Sequence, residues 1–254
     1  MKRKRSMIHR QAGLSIVEFM VGIAVGLFIV GGATKLFADF IVSNKRLLLE
    51  TRVNQDLRAA ADIVVRDVRR AGYWNNAIAG VWGTGSAAVT PNPHGAVTPA
   101  TGTGTAVSYS YARNAGDTLD DNERTGFRLQ SVGGIGVLQI WDGGAVGSEN
   151  YQAITDPGTV DVTTFSVTAP SPTLVNDLSS YCGCLTALTC TNTSAAGLID
   201  IANLTFNPAG KPTLTIPSFQ VVLTGRSVAD PTIVRTVSEA VRVRNASLTG
   251  SCPP

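Results

Sequence analysis

Three scarcities narrow the reading of this 254-residue chain before any motif is considered. Charged residues make up only 15% of it, and residues 77–112 hold no Asp, Glu, Lys or Arg. Histidine occurs twice, at His9 and His94. Cysteine occurs four times, at Cys182, Cys184, Cys190 and Cys252, all in the C-terminal third. With so few histidines, a Ser-His-Asp site would have to be built around His94, in a Pro/Gly-rich stretch that reads as a mobile loop. No Gly-x-Ser-x-Gly, His-Glu-x-x-His or P-loop sequence is present. The chain is therefore not expected to be an enzyme, and no cofactor is implied.

What is abundant points elsewhere. The chain is 44% hydrophobic and holds 26 Gly, with many Thr, Ser and Val. That composition fits a β-rich exported domain with long loops, large enough for one core. The pI of about 8.8 misleads, because five of the 21 Lys and Arg lie within the first thirteen residues. Without those thirteen residues the balance is 16 basic against 18 acidic, a net charge of −2. No basic patch with interleaved aromatics remains, so direct nucleic-acid binding is not expected.

Residues 1–13, MKRKRSMIHRQAG, are basic and free of acids. From Leu14 to Thr34 the chain is apolar except for Glu18. About 20 residues make a helix of roughly 30 Å, enough to cross a bilayer core. The basic residues before it would keep that end in the cytoplasm, so everything after Lys35 would be exported. A signal peptide or signal anchor would share these features, but neither explains Glu18. A carboxylate at a membrane-helix centre costs about 2.5–3.5 kcal/mol on insertion scales, less toward the end, and calls for a partner. Cleavage after Gly13 would supply one, a new α-amine on Leu14, and the two charges attract strongly at low dielectric. Formed between neighbouring subunits, such a pair turns two unfavourable buried charges into an assembly contact.

Between Lys35 and Ala71 there is neither Pro nor Gly. Leu36, Phe40, Leu47, Val53, Leu57, Ala60 or Ala61, Val64 and Val68 recur there, the later ones at helical spacing. One helix is expected from Leu14 to Ala71, roughly 85 Å long by its rise per residue, with Gly72 as its stop. Its second half needs a sheet to cover the apolar stripe; a coiled-coil dimer is the competing reading.

The run Gly13-Leu14-Ser15-Ile16-Val17-Glu18-Phe19-Met20 resembles the class III signal of type IV prepilins and type II secretion pseudopilins. It departs from the family at one position, since the first mature residue is usually Phe and here is Leu14. The resemblance implies that a prepilin peptidase cuts between Gly13 and Leu14 and methylates the amine of Leu14. It also implies that Glu18 pairs with a neighbouring subunit during assembly. The segment Asp67-Val68-Arg69-Arg70-Ala71-Gly72-Tyr73 and the ending Val241-Arg242-Val243-Arg244-Asn245 resemble the PilW and J-type branch of minor pilins. The implied fold is α+β and type IV pilin-like, with a long N-terminal helix on antiparallel sheet. The implied divisions are a leader (1–13), a transmembrane or fibre-core helix (14–34), its amphipathic continuation (35–72), a Gly/Thr/Pro-rich loop region (73–125) and a β-rich periplasmic domain (126–254). The implied function is that of a minor pilin priming type IV pilus assembly in an initiation or tip complex, with a J-type pseudopilin of a secretion pseudopilus as the alternative. Its partners would be the prepilin peptidase, other minor pilins and the major pilin, the inner-membrane assembly platform and a tip adhesin.

Strand-like runs lie at Gly126–Ser131, Gly136–Trp141, Val160–Thr168, Leu198–Phe206, Leu214–Ile216, Phe219–Thr224 and Thr232–Val243, with short strands near Val107–Tyr111. In the last long run Ile233, Val237, Val241 and Val243 share a face. An even number of cysteines in an exported domain reads as disulfides, with a four-thiolate zinc site as the competing reading. Asp117, Asp120, Asp121 and Glu123 form a dense acidic cluster that reads as a calcium candidate or a solvated turn.

Overall fold

The computed structural model describes residues 13, 15–80, 90–116, 118–169, 174–178 and 213–249. They fall into two units, residues 1–48 and 49–254. One helix, α1 (Ile16–Val68), supplies the regular structure among the described residues of the first unit and the N-terminal element of the second. The absence of Pro and Gly beyond Lys35 lets it run without a break.

In the second unit α1 buries Val53, Leu57, Ala60, Ala61, Val64, Val65 and Val68. Val53, Leu57, Ala60, Ala61, Val64 and Val68 are stripe residues expected from the spacing and Val65 is added, whereas Leu36, Phe40 and Leu47 of the same expected stripe are exposed. The buried residues pack into one core with residues of antiparallel sheets, so this part of the stripe is covered by the chain's own strands. The sheets are built from β1 (Gly102–Gly104), β2 (Ala106–Ser110), β3 (Arg124–Val132), β4 (Ile135–Asp142), β5 (Tyr151–Ala153), β6 (Val160–Ala169), β7 (Leu174–Asp177), β8 (Thr213–Ile216), β9 (Ser218–Ser227), β10 (Val234–Arg242) and β11 (Ser247–Thr249). One sheet has the order β2-β3-β4-β5, a second β1-β6-β9-β10 and a third β11-β8-β7. The arrangement is the expected α+β, pilin-like one.

The first two sheets give the core Tyr109, Phe127, Leu138, Phe165, Val167, Val221, Leu223, Val237 and Val241, which meet the helix stripe. β6 buries Val160 and Val162 at its start but Phe165, Val167 and Ala169 later, a change of parity. The register of β6 on β9 shifts between Val162 and Thr164, and that bulge keeps both apolar sets on the core side. Asp161 ties the two sheets together. It accepts hydrogen bonds from the Gly136 N–H of β4 at 2.7 Å and from Arg226 Nε of β9 at 2.8 Å. Burial pushes its carboxyl upward, but these donors hold it below the usual aspartate range.

Between residues 73 and 125, expected as a loop region, the short strand expected near Val107–Tyr111 is β2. That region holds β1 and β2 together with two short 3-10 turns, and β3 begins at Arg124, before the expected boundary. β1, β5, β7 and β11 have three or four residues each, too short for a periodic signal. The run Leu198–Phe206 lies outside the described residues.

Candidate functional site

The first candidate is the start of α1. Among the described residues from Ile16 to Thr34, Glu18 is the one charged side chain. The apolar side chains are bare: Ile16, Val17, Phe19, Met20, Leu27, Phe28 and Ile29 are all exposed, Phe28 to 87%. The segment is long and apolar enough to cross a membrane, and none of its most apolar window is buried within the chain. Glu18 is in the first turn, where its Oε2 accepts from the Ser15 N–H at 3.5 Å. Ser15-Ile16-Val17-Glu18 has the Ser-x-x-Glu pattern in which a residue of the first turn reaches back to the N-cap amide. A carboxylate there also meets the positive end of the helix dipole. Glu18 therefore has a local role in starting the helix, which its charge and position alone did not suggest. Gly13 is exposed, and Leu14 lies outside the described residues.

The second candidate is the opposite end of the same helix, within the second unit. The last carbonyls of a helix lack partners and must find them elsewhere. Here Arg244 N–H donates to the Arg69 carbonyl at 3.1 Å. Asn245 Nδ2 donates to the Ala71 carbonyl at 2.9 Å and, at 3.4 Å, to that of Arg70. Asn92 Nδ2 takes the Gly72 carbonyl at 2.9 Å, and the Ala112 N–H takes that of Tyr73 at 2.8 Å. Gly72 has φ +71°, a left-handed value that favours glycine after a helix. Asp67, one turn earlier, accepts from Tyr109 Oη at 2.6 Å and from Thr125 Oγ1 at 3.3 Å, which fastens α1 to β2 and β3. Burial first, and the Asp67 charge second, push the Tyr109 phenol well above its ordinary range. Arg70 lies 4.1 Å from the Tyr111 ring centroid and Arg113 lies 5.1 Å from it. The two segments that resemble minor pilins, 67–73 and 241–245, thus meet in space and complete one helix terminus.

The third candidate is buried. His94 and Glu123 are both 0% exposed, and His94 Nε2 is 3.8 Å from Glu123 Oε2. This corrects the expectation of a mobile His94. Its backbone is fixed by Asn92 Oδ1, which accepts from the His94 N–H at 2.8 Å, and neither ring nitrogen has a hydrogen-bond partner among the described residues. Glu123 Oε1 accepts from the N–H groups of Arg113 at 2.9 Å and Asn114 at 3.4 Å, and Oε2 from that of Asp120 at 3.0 Å. Burial pushes the Glu123 carboxyl up, but these donors and His94 hold it below the ordinary glutamate range. Burial pushes His94 below its ordinary range, against the charges of Glu123 and Asp120.

The acidic cluster does not converge on an empty centre among its described members. Glu123 faces inward, Asp120 Oδ2 accepts from Asn114 Nδ2 at 2.7 Å, and Asp121 pairs with Arg124 at 3.4 Å. No group of three or more candidate metal ligands occurs among the described residues. Asp117 and the cysteines Cys182, Cys184, Cys190 and Cys252 lie outside them.

A family model described as PpdB, prepilin peptidase-dependent protein B, matches residues 46–243, more than three quarters of the chain. No curated protein and no solved structure matches it.

Proposed function

The chain belongs to the prepilin peptidase-dependent protein B family, and from that premise we propose that it is a minor pilin that primes type IV pilus assembly in an initiation or tip complex. Dependence on the peptidase implies that the chain engages it. The observation that carries the reading is the bare apolar helix with a single carboxylate in its first turn, an element that continues through the core of the folded domain. An exposed apolar surface of this extent needs lipid or other helices to cover it. In the proposed sequence of events the peptidase cuts between Gly13 and Leu14 and methylates the new amine. The segment 14–34 first spans the inner membrane with its N-terminus in the cytoplasm and the folded domain in the periplasm. It then leaves the bilayer for the fibre, where Glu18 exchanges its local contact with Ser15 for the amine of a neighbouring subunit.

On this reading the other minor pilins, the major pilin and the inner-membrane assembly platform are its partners, and a tip adhesin contacts the folded domain. A clean deletion scored in one strain for surface pili, twitching and exoprotein secretion tests it. The expected result is loss of pili and twitching with normal secretion. Intact pili with exoproteins trapped in the periplasm would replace the reading with a J-type pseudopilin of a secretion pseudopilus.

A further inference from the structure

Most arginines of the folded domain have visible partners. Arg70, Arg113, Arg124, Arg226 and Arg235 each pair with a carboxylate. Arg58 and Arg128 hydrogen-bond the side-chain oxygens of Asn54 and Gln139. Arg52, Arg66, Arg69, Arg242 and Arg244 make no ion pair or side-chain hydrogen bond among the described residues, but only the last three share one place. Arg69, at the end of α1, and Arg242 and Arg244, at and beyond the end of β10, line one surface depression of about 600 Å³. Their guanidinium groups form no ion pair or side-chain hydrogen bond among the described residues, and no acidic side chain lines the depression. Ile216, Ala240 and Val243 supply apolar wall between them. Three exposed arginines sharing one concavity concentrate positive potential there, although residues 14–254 carry a net charge of −2.

A second observation adjoins the first. Ser227 N–H donates to the Ile233 carbonyl and Val243 N–H to the Pro217 carbonyl, so the odd-numbered residues of this strand form the hydrogen-bonded pairs with β9. Antiparallel alternation then turns the backbone groups of Val234, Thr236, Ser238, Ala240 and Arg242 to the other edge. No described strand pairs there, although the Val234 carbonyl is taken by Arg235 Nη1. Nine residues of edge, without a partner strand among the described residues, run up to the arginine-lined depression.

We propose that this edge and the arginines Arg69, Arg242 and Arg244 form a docking surface for an extended, acidic segment of another pilus subunit. Backbone pairing with β10 would give such a segment its direction, and its carboxylates would reach the guanidiniums at the end. Three features favour a peptide over nucleic acid. The lining holds no aromatic ring on which a base could stack. Only three cations are present, few for a polyphosphate. The intervening wall is aliphatic and suits side chains alternating with carboxylates.

The test uses the full chain in detergent micelles and a fluorescent octapeptide of alternating Glu and Val, followed by anisotropy. A Gln/Val octapeptide, inorganic phosphate and a 20-base-pair duplex serve as comparison probes. Saturable binding of the acidic peptide is expected, with about a tenfold loss in R69Q/R242Q/R244Q, the sum of three modest exposed pairs. The charge-matched variant R52Q/R58Q/R66Q should bind as the parent does. All six positions are exposed, so both variants should keep the parental melting temperature. Absence of peptide binding, equal binding of the Gln/Val peptide, or equal loss in the two triple variants overturns the proposal. Tighter, arginine-dependent binding of the duplex or of phosphate replaces the acidic-segment reading with an anion site of another kind. The proposal deepens the minor-pilin reading by naming a partner's chemistry. It can fail in this assay while the deletion phenotype stands, and the deletion can fail while the peptide binds.

Discussion

Removal of the Glu123 carboxylate is expected to be among the most destabilising single changes in the folded domain. In Glu123→Ala three backbone donors lose their acceptor: those of Arg113 and Asp120, at 2.9 and 3.0 Å, and the longer contact from Asn114 at 3.4 Å. A hydrogen bond to a charged group is worth about 1.5–3 kcal/mol, and a buried group left unpaired costs a similar amount. Asp120 and Asp121 are exposed beside the site, so water can recover part of the loss. Two well-formed bonds, partly compensated, give about 3 kcal/mol in total. In a domain of this size that corresponds to a fall of about 6–12 °C in melting temperature. Thermal unfolding of the full chain in micelles, followed by circular dichroism, measures it. Glu123→Gln keeps the shape and one acceptor oxygen and should fall about halfway between. A drop of under 2 °C in the Ala variant would refute the reasoning. It would show that Glu123 is not the acceptor that holds residues 113–120 in place.

The same pair predicts a pH dependence. His94 is depressed from its ordinary 6.5, so the unfolded chain binds its proton first and stability falls as pH drops below about 6.5. Glu123 is depressed from 4.5, so its contribution is complete above that pH and is lost as pH falls through its lower folded value. Urea unfolding between pH 8 and 4 should show a steady decline, and His94→Gln should flatten its upper part. Leu57→Ala, at 0% exposure in the helix stripe, should cost about 2–5 kcal/mol in the same assay. Gly225→Ala should also destabilise, because an added Cβ would lie 3.0 Å from Leu57 Cδ2 and 3.1 Å from Val160 Cγ1; an unchanged midpoint would show that these side chains can shift without penalty. Gly13→Leu should leave the chain uncut, and N-terminal sequencing that begins at Leu14 would contradict this. Glu18→Ala should be cut normally but enter the fibre poorly, and full recovery in sheared pili would remove the assembly role.

How much could be read from the sequence varied with the distance over which each feature is decided. The stripe Val53, Leu57, Val64 and Val68 was legible because a helix writes its buried face into consecutive turns. The long strands β3, β4, β6, β9 and β10 were legible for the same reason at period two. His94 was misread because its burial depends on Glu123, 29 positions later, and on Asn92, and nothing in the composition of residues 77–112 records those contacts. Within the charge-free stretch the short strand expected near Val107–Tyr111 is β2, but that Val107, Tyr109 and Ser110 are buried in it was not legible from composition. The acidic cluster was read as a calcium candidate or a solvated turn, whereas Glu123 turns inward to hold a turn and local spacing does not say which member does so.

The two ends of α1 show why the resembling segments occupy the places they do. At the N-terminal end a single residue, Glu18, three positions from Ser15, answers one of the unpaired amides, that of Ser15. That contact is local, costs nothing elsewhere in the fold, and can be exchanged when the segment changes surroundings. At the C-terminal end the carbonyls of Arg69, Arg70, Ala71, Gly72 and Tyr73 are answered by Arg244, Asn245, Asn92 and Ala112, groups up to 175 positions away. Those contacts form only when β10 is in register on β9 and the turn at Asn92 is closed. The helix terminus is therefore specified by the whole domain, and displacement of any one partner exposes carbonyls that the others cannot reach. If, as proposed above, the apolar helix passes from bilayer to fibre, this asymmetry confines the change to the end that is locally capped. It leaves fixed the end beside which Arg69, Arg242 and Arg244 are gathered.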